Sequence, residues 1–574
     1  IIDYLLNLIQ ANKDFTAVGI FQRLFSFIGC LCSIYHSSVA QIQNTVGVLQ
    51  AQPLEYTSGY DLLYPNNQAD IFLIDQCGRL VHRWQDDPSW RPGNVAYLLE
   101  NGQLVRAKRY FAAINDPIWF SGGGEMVELV DWSGNVLWQF YQNDSLKRLH
   151  HDIQPLPNGH VLLVSWELKT GEEALLQGRD PASLLENRLF PDYILEVSPD
   201  SGDSVLWEWH AWDHLIQDFD ETKPNYGVIA EHPELIDLNF DTREGIPDWL
   251  HINSIDYHPQ LDQIMLSVLG FDEIWIIDHS TTSEEAAGHV GGRSGQGGDL
   301  LYRWGNPMAY QQGDVSDQML FGQHDAHWVD DLAGTDPFYG QIAVFDNNYR
   351  PEFSAGHLID ASFDTLTQSY LMDQGRWLPI SYTLTITHPH PELFKSESVS
   401  SIQVLSNGHF LMCAGKIGYT IELDSEGSIV WEYVLPFRSG FPVAQGTQLR
   451  LNDNFIFRHK RYSLDYPAFQ DKVLEPGDYL EIDPDLTICD LITSVEEEET
   501  AGGGIMVTPN PVHQAMQIQS RDVLGLISIT GLGGNELYRK SVQSSTVAID
   551  VADWNPGLYL IRSGRSLRKV MVIH

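Results

Sequence analysis

Three short segments of the sequence bring histidine together with amide or carboxylate side chains. The first contains His150 and His151, the second contains His251 and Asn253, and the third contains His324. Each segment opens a run of residues with the alternation of a β-strand. Imidazole side chains can bind a metal ion, transfer protons near neutral pH, or act as nucleophiles that accept a transferred group. The residues alone leave these three chemistries open.

A histidine in isolation usually has a structural role, with its hydrogen bonds satisfied in the core or at the surface. In this sequence His327 joins the four histidines named above, and all five stand at the start of a predicted strand. This shared placement favours one common site over five unrelated structural residues. The common site requires that the strands which carry the histidines start close together in space.

The elements that must position these histidines are two alternating kinds of β-hairpin. One kind has an Asn-Gly turn between apolar runs, which is the strongest short-range hairpin signal, at residues 101–102, 158–159 and 407–408. The other kind has an acidic or glycine turn and a second strand that ends in tryptophan. The tryptophans of this second kind are Trp84, Trp138, Trp207, Trp304 and Trp431. Two such hairpins make one four-stranded sheet, so their alternation predicts a repeat-built, all-β domain.

The repetition predicts a β-propeller of about six four-stranded blades over residues 41–493. In a propeller the innermost strand of every blade lines the central channel. Histidines at the starts of innermost strands from three blades would therefore meet in that channel. An array of β-sandwiches is the alternative architecture, but it explains the alternation of the two hairpin kinds less well.

The composition suits a globular β-protein and excludes some classes of partner. The 574 residues include 16 Trp, and the formal net charge of −43 argues against nucleic acid, because phosphate binding requires a basic surface. Cys30 and Cys32 fall in a segment that we expect to be removed. The spacing of Cys77, Cys413 and Cys489 indicates neither a disulfide framework nor a metal site. Cys77 and Cys413 are expected to be small, buried apolar residues.

The start of the chain predicts export. Residues 1–40 read as a leader followed by a secretory signal peptide, with Arg23, an apolar run at 24–35 and small residues before a cleavage site at 37–40. A membrane anchor is the alternative for this segment. No later run is apolar over a length sufficient to span a bilayer, so the mature chain is expected to have no stable membrane span.

Two inserts and a linker interrupt the hairpin pattern. Residues 210–249 predict a short helix and a loop, and residues 279–300 form a loop rich in Gly, Ser and Thr. A loop of this length is typical of functional or disordered segments. Residues 494–504 form an acidic, glycine-ended linker, and residues 505–574 have the short alternating strands of a small β-sandwich.

Six separate stretches between about residues 50 and 490 carry a further signal. They are residues 248–257, 273–282, 302–307, 322–326, 457–458 and 461–462. Together they resemble the bacterial arylsulfate sulfotransferase family. The resemblance implies a six-bladed propeller and a ping-pong transfer without metal or other cofactor. A sulfuryl group would pass from a phenolic sulfate ester to a histidine and then to a phenolic acceptor, and the nucleotide sulfate donor would not be used.

The resemblance also implies roles for individual residues. His324 corresponds to the nucleophile, and His251 and Asn253 correspond to the family's His-x-Asn pair. A further family histidine lies in an earlier blade and matches His151 or His150, of which His151 is favoured. These side chains would stabilise charge and move protons around the transferred group.

One departure from the family pattern concerns the binding of the sulfuryl oxygens. The family carries an arginine in the strand after the His-x-Asn pair, and Leu269 stands at that position here. Leucine cannot donate hydrogen bonds to an oxyanion, and one missing donor costs about 10²–10³ in rate. Arg293 and Arg350 are the candidate substitutes for substrate binding. The alternative is a non-catalytic secreted propeller that binds a sulfated or aromatic ligand in the same pocket.

The end of the chain has a likeness of its own. Residues 507–511 contain a Pro-Asn-Pro element, residues 556–561 contain Gly-x-Tyr, and residues 569–573 form a last apolar strand. In this order they resemble the C-terminal sorting domain of type IX secretion. The resemblance implies that the type IX machinery is a partner and that the protein is secreted or held at the cell surface. An ordinary carbohydrate-binding or adhesion β-sandwich is the alternative.

Overall fold

The computed structural model describes most of the chain after residue 43. The described residues are 44–490 except 54, 114–115, 203, 331 and 333; residue 492; and 505–572 except 509–511, 513, 521–522, 532–535, 553, 556 and 564–565. The predicted leader and signal peptide at residues 1–40 lie outside the described residues, and so does the predicted linker at 494–504.

The structure is built from β-strands, with 44% strand and 9% helix, so the predicted all-β class is confirmed. In the described part of the chain, α-helices occur at Gly171–Leu176 and Ser283–Ala286. Each begins with a capping box, in which a threonine and the glutamate three residues later exchange hydrogen bonds with each other's backbone N–H groups. None of the helices among these residues is long and apolar enough to cross a lipid bilayer.

Residues 44–490 contain, within their described part, six antiparallel sheets of four or five strands. In chain order the sheets are Gly59–Pro65, Ile71–Ile74, Leu80–Trp84 and Ile456–Ser463; Trp90–Leu98, Leu104–Tyr110, Met126–Val130 and Val136–Tyr141; Lys147–Pro155, Val161–Glu167, Asp192–Val197 and Val205–His210; Ile252–His258, Gln263–Val268, Glu273–Asp278 and Tyr302–Trp304; His324–Trp328, Ile342–Arg350, Phe353–Ile359 and Leu384–Ile386; and Ser401–Val404, Phe410–Ala414, Tyr419–Leu423 and Ile429–Val434 with Gly47–Ala51. We refer to them as sheets 1 to 6.

The two predicted hairpin kinds form the two halves of these sheets. The Asn-Gly turns join the first and second strands of sheets 2, 3 and 6, and their glycines Gly102, Gly159 and Gly408 have φ values of 81°, 86° and 79°. Glycine adopts this left-handed conformation without the steric cost that a Cβ atom imposes. Of the tryptophans of the second kind, Trp84, Trp138, Trp207 and Trp304 lie on the opposite edge strands of sheets 1 to 4, and Trp431 lies on the strand next to Gly47–Ala51 in sheet 6; all five are buried.

One edge strand of each sheet contacts the corresponding strands of two neighbouring sheets. In order of contact, these inner strands are Trp90–Leu98, Lys147–Pro155, Ile252–His258, His324–Trp328, Ser401–Val404 and Ile456–Ser463, and the last contacts the first. The three histidine segments therefore belong to three consecutive inner strands. His150 and His151 lie inside Lys147–Pro155, His251 directly precedes Ile252–His258, and His324 begins His324–Trp328.

The two ends of this region are joined by strand pairing and by a disulfide bond. Sheet 1 combines strands from both ends of the region, because Ile456–Ser463 pairs with Gly59–Pro65. Cys77 forms a disulfide with Cys489, with the two Cα atoms 5.1 Å apart and a sequence separation of 412. The prediction that Cys77 belongs to no disulfide was wrong, because spacing along the chain cannot show that strands from the two ends of the region pair and bring distant residues together. Cys413 is buried and free, as predicted.

The C-terminal region has two further sheets and its own hydrophobic cluster. One sheet contains Met506–Thr508, Ala515–Gln519 and Thr546–Asp550, and the other contains Gly525–Gly531, Glu536–Val542, Gly557–Ser563 and Ser566–Val572. Buried residues from both sheets, such as Ile518 and Ile561, belong to the same cluster. This arrangement agrees with the small two-sheet module that the alternating pattern predicts.

Candidate functional site

Histidines from sheets 3, 4 and 5 converge at one end of the inner strands. The rings of His151 and His251 are 4.3 Å apart between centroids. The rings of His151 and His324 each lie 6.2 Å from the ring of Phe457, which sheet 1 contributes. All three histidines are buried. The structure therefore brings together the histidines that the sequence predicted to meet.

Irregular backbone at the start of each inner strand aims these side chains. His151 and His251 have φ values of 51° and 53°, in the left-handed region that few non-glycine residues adopt. The strand pairing shifts register near each histidine, including between His324 and His327. Such bulges redirect side chains and recur beside functional sites. The strands thus lose regular pairing at the point where their histidines meet.

The hydrogen bonds of His324 define which ring nitrogen carries the proton. The Nδ1 atom lies 2.7 Å from Asn347 Oδ1, and the Asn347 amide donates to the backbone carbonyls of Ser396 and Val399 at 2.7 and 2.8 Å. These two carbonyls fix the amide so that its oxygen faces the ring. Nδ1 of His324 therefore carries the ring proton and donates a hydrogen bond to Asn347 Oδ1, and Nε2 carries the lone pair. The backbone N–H of Val399 donates to Nε2 at 3.1 Å.

The surroundings of His324 keep its ring neutral. Burial lowers the pKa of the imidazole to about 4, although the hydrogen bond to Asn347 raises it. The segment over Nε2 is strained, because Val399 and Ser400 have φ values of 54° and 92°. A left-handed conformation is unusual for a β-branched residue, and such strain is typical of functional segments. At neutral pH the ring thus offers one lone pair, beneath a strained stretch of backbone.

His251 is held by an acid that in turn contacts an arginine. Its Nδ1 lies 2.5 Å from Asp248 Oδ2, and Arg243 Nη2 lies 3.1 Å from the same oxygen. Nδ1 donates to the carboxylate, which leaves Nε2 with the lone pair. Burial, and then the nearby Arg243 guanidinium, hold the pKa of His251 well below its usual range. His251 is therefore a neutral proton acceptor beside a cation.

His150 lies behind His151 as seen from His251. The His150 ring stacks on Trp166 at 4.0 Å, and its Nδ1 lies 2.8 Å from His151 Nδ1. Its Nε2 lies 2.9 Å from Asp192 Oδ1, without the alignment of a hydrogen bond. Burial lowers the pKa of His150 to about 3 and that of His151 well below its usual range. The structure thus places His151 against His251 and places His150 behind it.

Asn253 joins two of the converging strands. Its amide nitrogen donates to the backbone carbonyl of Gln323, one residue before His324, at 2.7 Å. Its Oδ1 atom is buried and has no hydrogen-bond partner among the described residues. The side chain therefore fixes the spacing between the strands of His251 and His324 and offers one free acceptor.

The two arginines predicted to bind substrate lie elsewhere. The side chain of Arg293 is 60% exposed on the loop between the last two strands of sheet 4 and lies 3.4 Å from Asp262. The exposed Arg350 guanidinium stacks over the ring of Tyr349 at 3.9 Å. The structure brings neither of them against the histidine cluster.

Arg243 is the cation beside the cluster, and sequence reasoning missed it. Its side chain is 16% exposed, and its Nε is buried without a hydrogen-bond partner among the described residues. Leu269, at the position of the expected arginine, lies next to His251 and donates its backbone N–H to the His251 carbonyl at 3.4 Å. Arg243 falls in the insert 210–249, where no motif marked it. The one signal in the sequence that could have pointed to it is Asp248, three residues before His251, because a buried acid requires a partner such as an arginine.

A layer of charged residues separates the histidines from a cavity farther along the inner strands. The Arg458 guanidinium contacts Asp152 at 2.9 Å, Asp325 at 2.8 Å and the hydroxyl of Tyr97. Beyond this layer lies a cavity of about 840 Å³, which Arg458, Asp325 and His327 line but His324 does not. His324 and His327 therefore face different surroundings, although they are only three positions apart in the sequence.

Comparison with known proteins matches two parts of the chain to family models. Residues 56–434, more than half of the chain, match the model described as Arylsulfotransferase (ASST). Residues 506–572 match the model described as Secretion system C-terminal sorting domain. No curated protein matches the chain.

Three solved structures show a distant likeness to the chain. A protein of unknown function from Bacteroides caccae has 12% identity and a TM-score of 0.37, and the match covers 70% of this chain and 98% of that chain. A streptogramin B lyase has 11% identity and a TM-score of 0.32, covering 70% and 86% of the two chains. Hydrazine synthase of Kuenenia stuttgartiensis has 12% identity and a TM-score of 0.28, covering 50% and 64%. These scores are too low to support an inference about function.

Proposed function

The chain belongs to the arylsulfotransferase family, and on this premise we propose that it transfers a sulfuryl group from a phenolic sulfate ester to a phenol through His324. The observation that carries the proposal is the state of His324, a neutral ring whose Nδ1–H is held by Asn347 and whose Nε2 has the lone pair. A nucleophilic nitrogen requires this tautomer.

We propose that sheets 1 to 6 are the blades of a six-bladed β-propeller, followed by a sandwich-like sorting module. The cyclic order of contacts between the inner strands supports this architecture. The pairing of Ile456–Ser463 with Gly59–Pro65 supports closure by strands from both ends of the region. The proposed domain boundaries are residues 41–493 for the propeller and 505–574 for the sorting module.

The proposed reaction has two half-reactions. In the first, His324 Nε2 attacks sulfur, the bond between sulfur and the aryl oxygen breaks, and the phenolate leaves. In the second, a phenol gives its proton to His251 or His151, its oxygen attacks the same sulfur, and the bond between Nε2 and sulfur breaks. The proton then passes to solvent, and the neutral ring is restored. The Val399 N–H must release Nε2 in the first step, so the strained segment over the ring has to move.

We propose that Arg243 binds the sulfuryl oxygens in place of the family arginine, whose position Leu269 occupies here. Its guanidinium lies beside Asp248 and its Nε is unpaired within the described part, so a donor is free for a sulfuryl oxygen. Arginine matches the geometry of an oxyanion with several donors on one planar group. Asn253 and the rings of His151 and His251 complete the surroundings of the transferred group.

The function is tested by incubating the purified protein with 4-nitrophenyl sulfate and phenol. We expect nitrophenolate release to depend on added phenol, with phenyl sulfate as the product. Free sulfate as the product would indicate a hydrolase instead. Binding of the aryl sulfate without any turnover would establish the second candidate, a non-catalytic binding protein. The loss of the family arginine at position 269 is the observation that favours this candidate.

The neutral ring of His324 leads to an expected pH profile. The nucleophile is lost when the ring takes up a proton below its pKa of about 4. We therefore expect the first half-reaction to keep its rate from pH 7 to about 5 and to decline only as the pH approaches about 4. Stopped-flow release of nitrophenolate measures this limb. A decline centred near pH 6.5, the ordinary histidine value, would contradict the assignment.

Replacing Asn347 by aspartate gives a second measurement on the same limb. A carboxylate beside Nδ1 favours the protonated ring, so we expect Asn347→Asp to move the acid limb to higher pH. Asn348→Asp is the matched control, because this neighbouring amide bonds to Lys395 and not to His324. An unmoved limb in the first variant would contradict the role given to the Asn347 hydrogen bond.

Gly122 provides a test of how closely His151 must be held. Its carbonyl accepts from the His151 N–H at 2.8 Å, and a Cβ atom at Gly122 would lie 2.0 Å from His151 Nε2. We expect Gly122→Ala to displace the ring and to reduce kcat by about 10²-fold. Gly134→Ala is the control, since Gly134 has a similar φ of 84° but open space around it. Equal loss in both variants would indicate backbone strain alone.

Export follows from the C-terminal module. The sorting domain at residues 506–572 supports a secreted or cell-surface location. We propose that the signal peptide directs passage across the inner membrane and that the type IX machinery then recognises this module. In a host with that machinery, deletion of residues 505–574 is expected to retain the protein in the periplasm. Delivery of the truncated protein to the surface would contradict this step.

A further inference from the structure

The two inserts meet at three side chains that sulfuryl transfer does not use. His214 belongs to the insert 210–249, and His289 and Asp299 belong to the insert 279–300. The Nδ1 atoms of both histidines lie 2.8 Å from Asp299 Oδ1. The donor atoms of the three side chains all lie within 4.8 Å of one another. Two imidazole nitrogens and a carboxylate oxygen therefore converge on one point.

The hydrogen bonds of His214 leave a lone pair facing the carboxylate. Its Nε2 lies 2.8 Å from the carbonyl oxygen of Ala286, which can only accept, so Nε2 carries the ring proton. In the neutral ring Nδ1 then has a lone pair, and this lone pair faces Asp299 Oδ1 at 2.8 Å. Two lone pairs at this distance repel each other. Either a proton shared by the two groups or a bound cation must therefore lie between them.

The packing around His214 fixes its ring in the orientation of a metal ligand. The ring is fully buried and is stacked nearly parallel to Trp209 at 5.7 Å. A Cβ atom at Gly298 would lie 2.7 Å from His214 Nε2 and 2.0 Å from the Ala286 oxygen, so only glycine fits there. A histidine whose second nitrogen donates to a backbone carbonyl is the usual supporting arrangement of metal sites.

We propose that His214, His289 and Asp299 bind one divalent transition-metal ion that joins the two inserts. Imidazole nitrogen selects zinc and its neighbours over calcium and magnesium, and two histidines with one carboxylate leave a fourth position open. The side chain of His289 is 61% exposed, so the open position faces solvent and can hold water. Around zinc, ligand atoms lie about 3.3 Å apart, so the 2.8 Å contacts need to open only slightly.

The site explains how a glycine-rich segment keeps one conformation. The insert 279–300 contains a four-residue helix, Ser283–Ala286, and otherwise turns whose backbone groups bond to one another. A metal ion bound at both ends of residues 289–299 and to His214 would close this loop against the neighbouring insert. The role is structural and does not depend on the sulfuryl chemistry.

The test measures metal binding by the purified full-length protein. The protein is dialysed against EDTA and then titrated with Zn²⁺ in competition with a chromogenic chelator, and bound metal is counted by elemental analysis. We expect one equivalent for the wild type and at least about 10²-fold weaker binding for Asp299→Asn and for His289→Gln. Cobalt substitution gives a second readout, because a four-coordinate Co²⁺ site absorbs strongly in the visible range.

His232→Gln is the matched control. His232 is also exposed and lies 2.9 Å from a carboxylate, that of Glu234, and so presents the same pair without a third donor. This control is expected to bind zinc as the wild type does. Absence of stoichiometric metal in the wild type would overturn the proposal. Equal affinity of His289→Gln and His232→Gln would also overturn it, and His289 is exposed enough for its variant to fold.

Discussion

Replacement of His324 by alanine is expected to reduce sulfuryl transfer by about 10⁴-fold or more, because the variant has no atom to accept the sulfuryl group. The buried ring is neutral, and its hydrogen bond to Asn347 places the lone pair on Nε2, where it can attack the sulfur atom. The measurement is nitrophenolate release from 4-nitrophenyl sulfate, with phenol as acceptor, over a range of both concentrations.

His327→Ala is the control for this experiment. His327 lies on the same strand, but it lines the cavity beyond the charged layer, and its Nδ1 contacts the Asp325 carbonyl at 2.8 Å. Its removal is expected to leave transfer within a few-fold of the wild type. Trapping with donor alone should add one SO₃ group to the peptide that contains His324. Equal turnover by both variants, or the added group on another histidine, would contradict the assignment.

Replacement of Arg243 by alanine is expected to reduce kcat/KM by about 10²–10³-fold, the effect of removing one oxyanion donor. The expectation rests on the position of Arg243 beside Asp248 and His251 and on its unpaired Nε within the described residues. Arg243→Lys should recover only part of the activity, since lysine lacks the planar set of donors. Added guanidinium ion should partly restore the alanine variant.

Leu269→Arg supplies a sharper version of this test. Leu269 lies next to His251, so an arginine there would place a guanidinium where the family has one. We expect the double variant Arg243→Ala with Leu269→Arg to regain activity that the single variant lacks. Arg293→Ala is the control, because this exposed arginine pairs with Asp262. If the Arg243 and Arg293 variants retain equal activity, Arg243 has no part in binding the sulfuryl group.

The sequence itself determined the features that depend on neighbouring residues. An Asn-Gly pair between apolar runs is a turn wherever it occurs, since glycine tolerates positive φ, and the hairpins at 101–102, 158–159 and 407–408 are present. Alternation along each strand fixed which face is buried. The position of the histidines at the starts of strands then followed. The six short stretches that include the motifs around His251 and His324 together indicated the family, because each of them is local as well.

Only the tertiary structure decided what depends on residues far apart in the chain. Cys77 and Cys489 meet because strands from the two ends of the region pair, and no spacing in the sequence encodes that pairing. Arg243 comes close to His251 because of the way the insert 210–249 folds, and no sequence motif marks it. Arg293 was a candidate from the sequence, but it lies at the surface. Which nitrogen of His324 has the lone pair depends on Asn347, 23 residues away, and on two carbonyls that hold its amide. Hydrogen bonds over such distances are set by packing, because it is packing that brings the partners together.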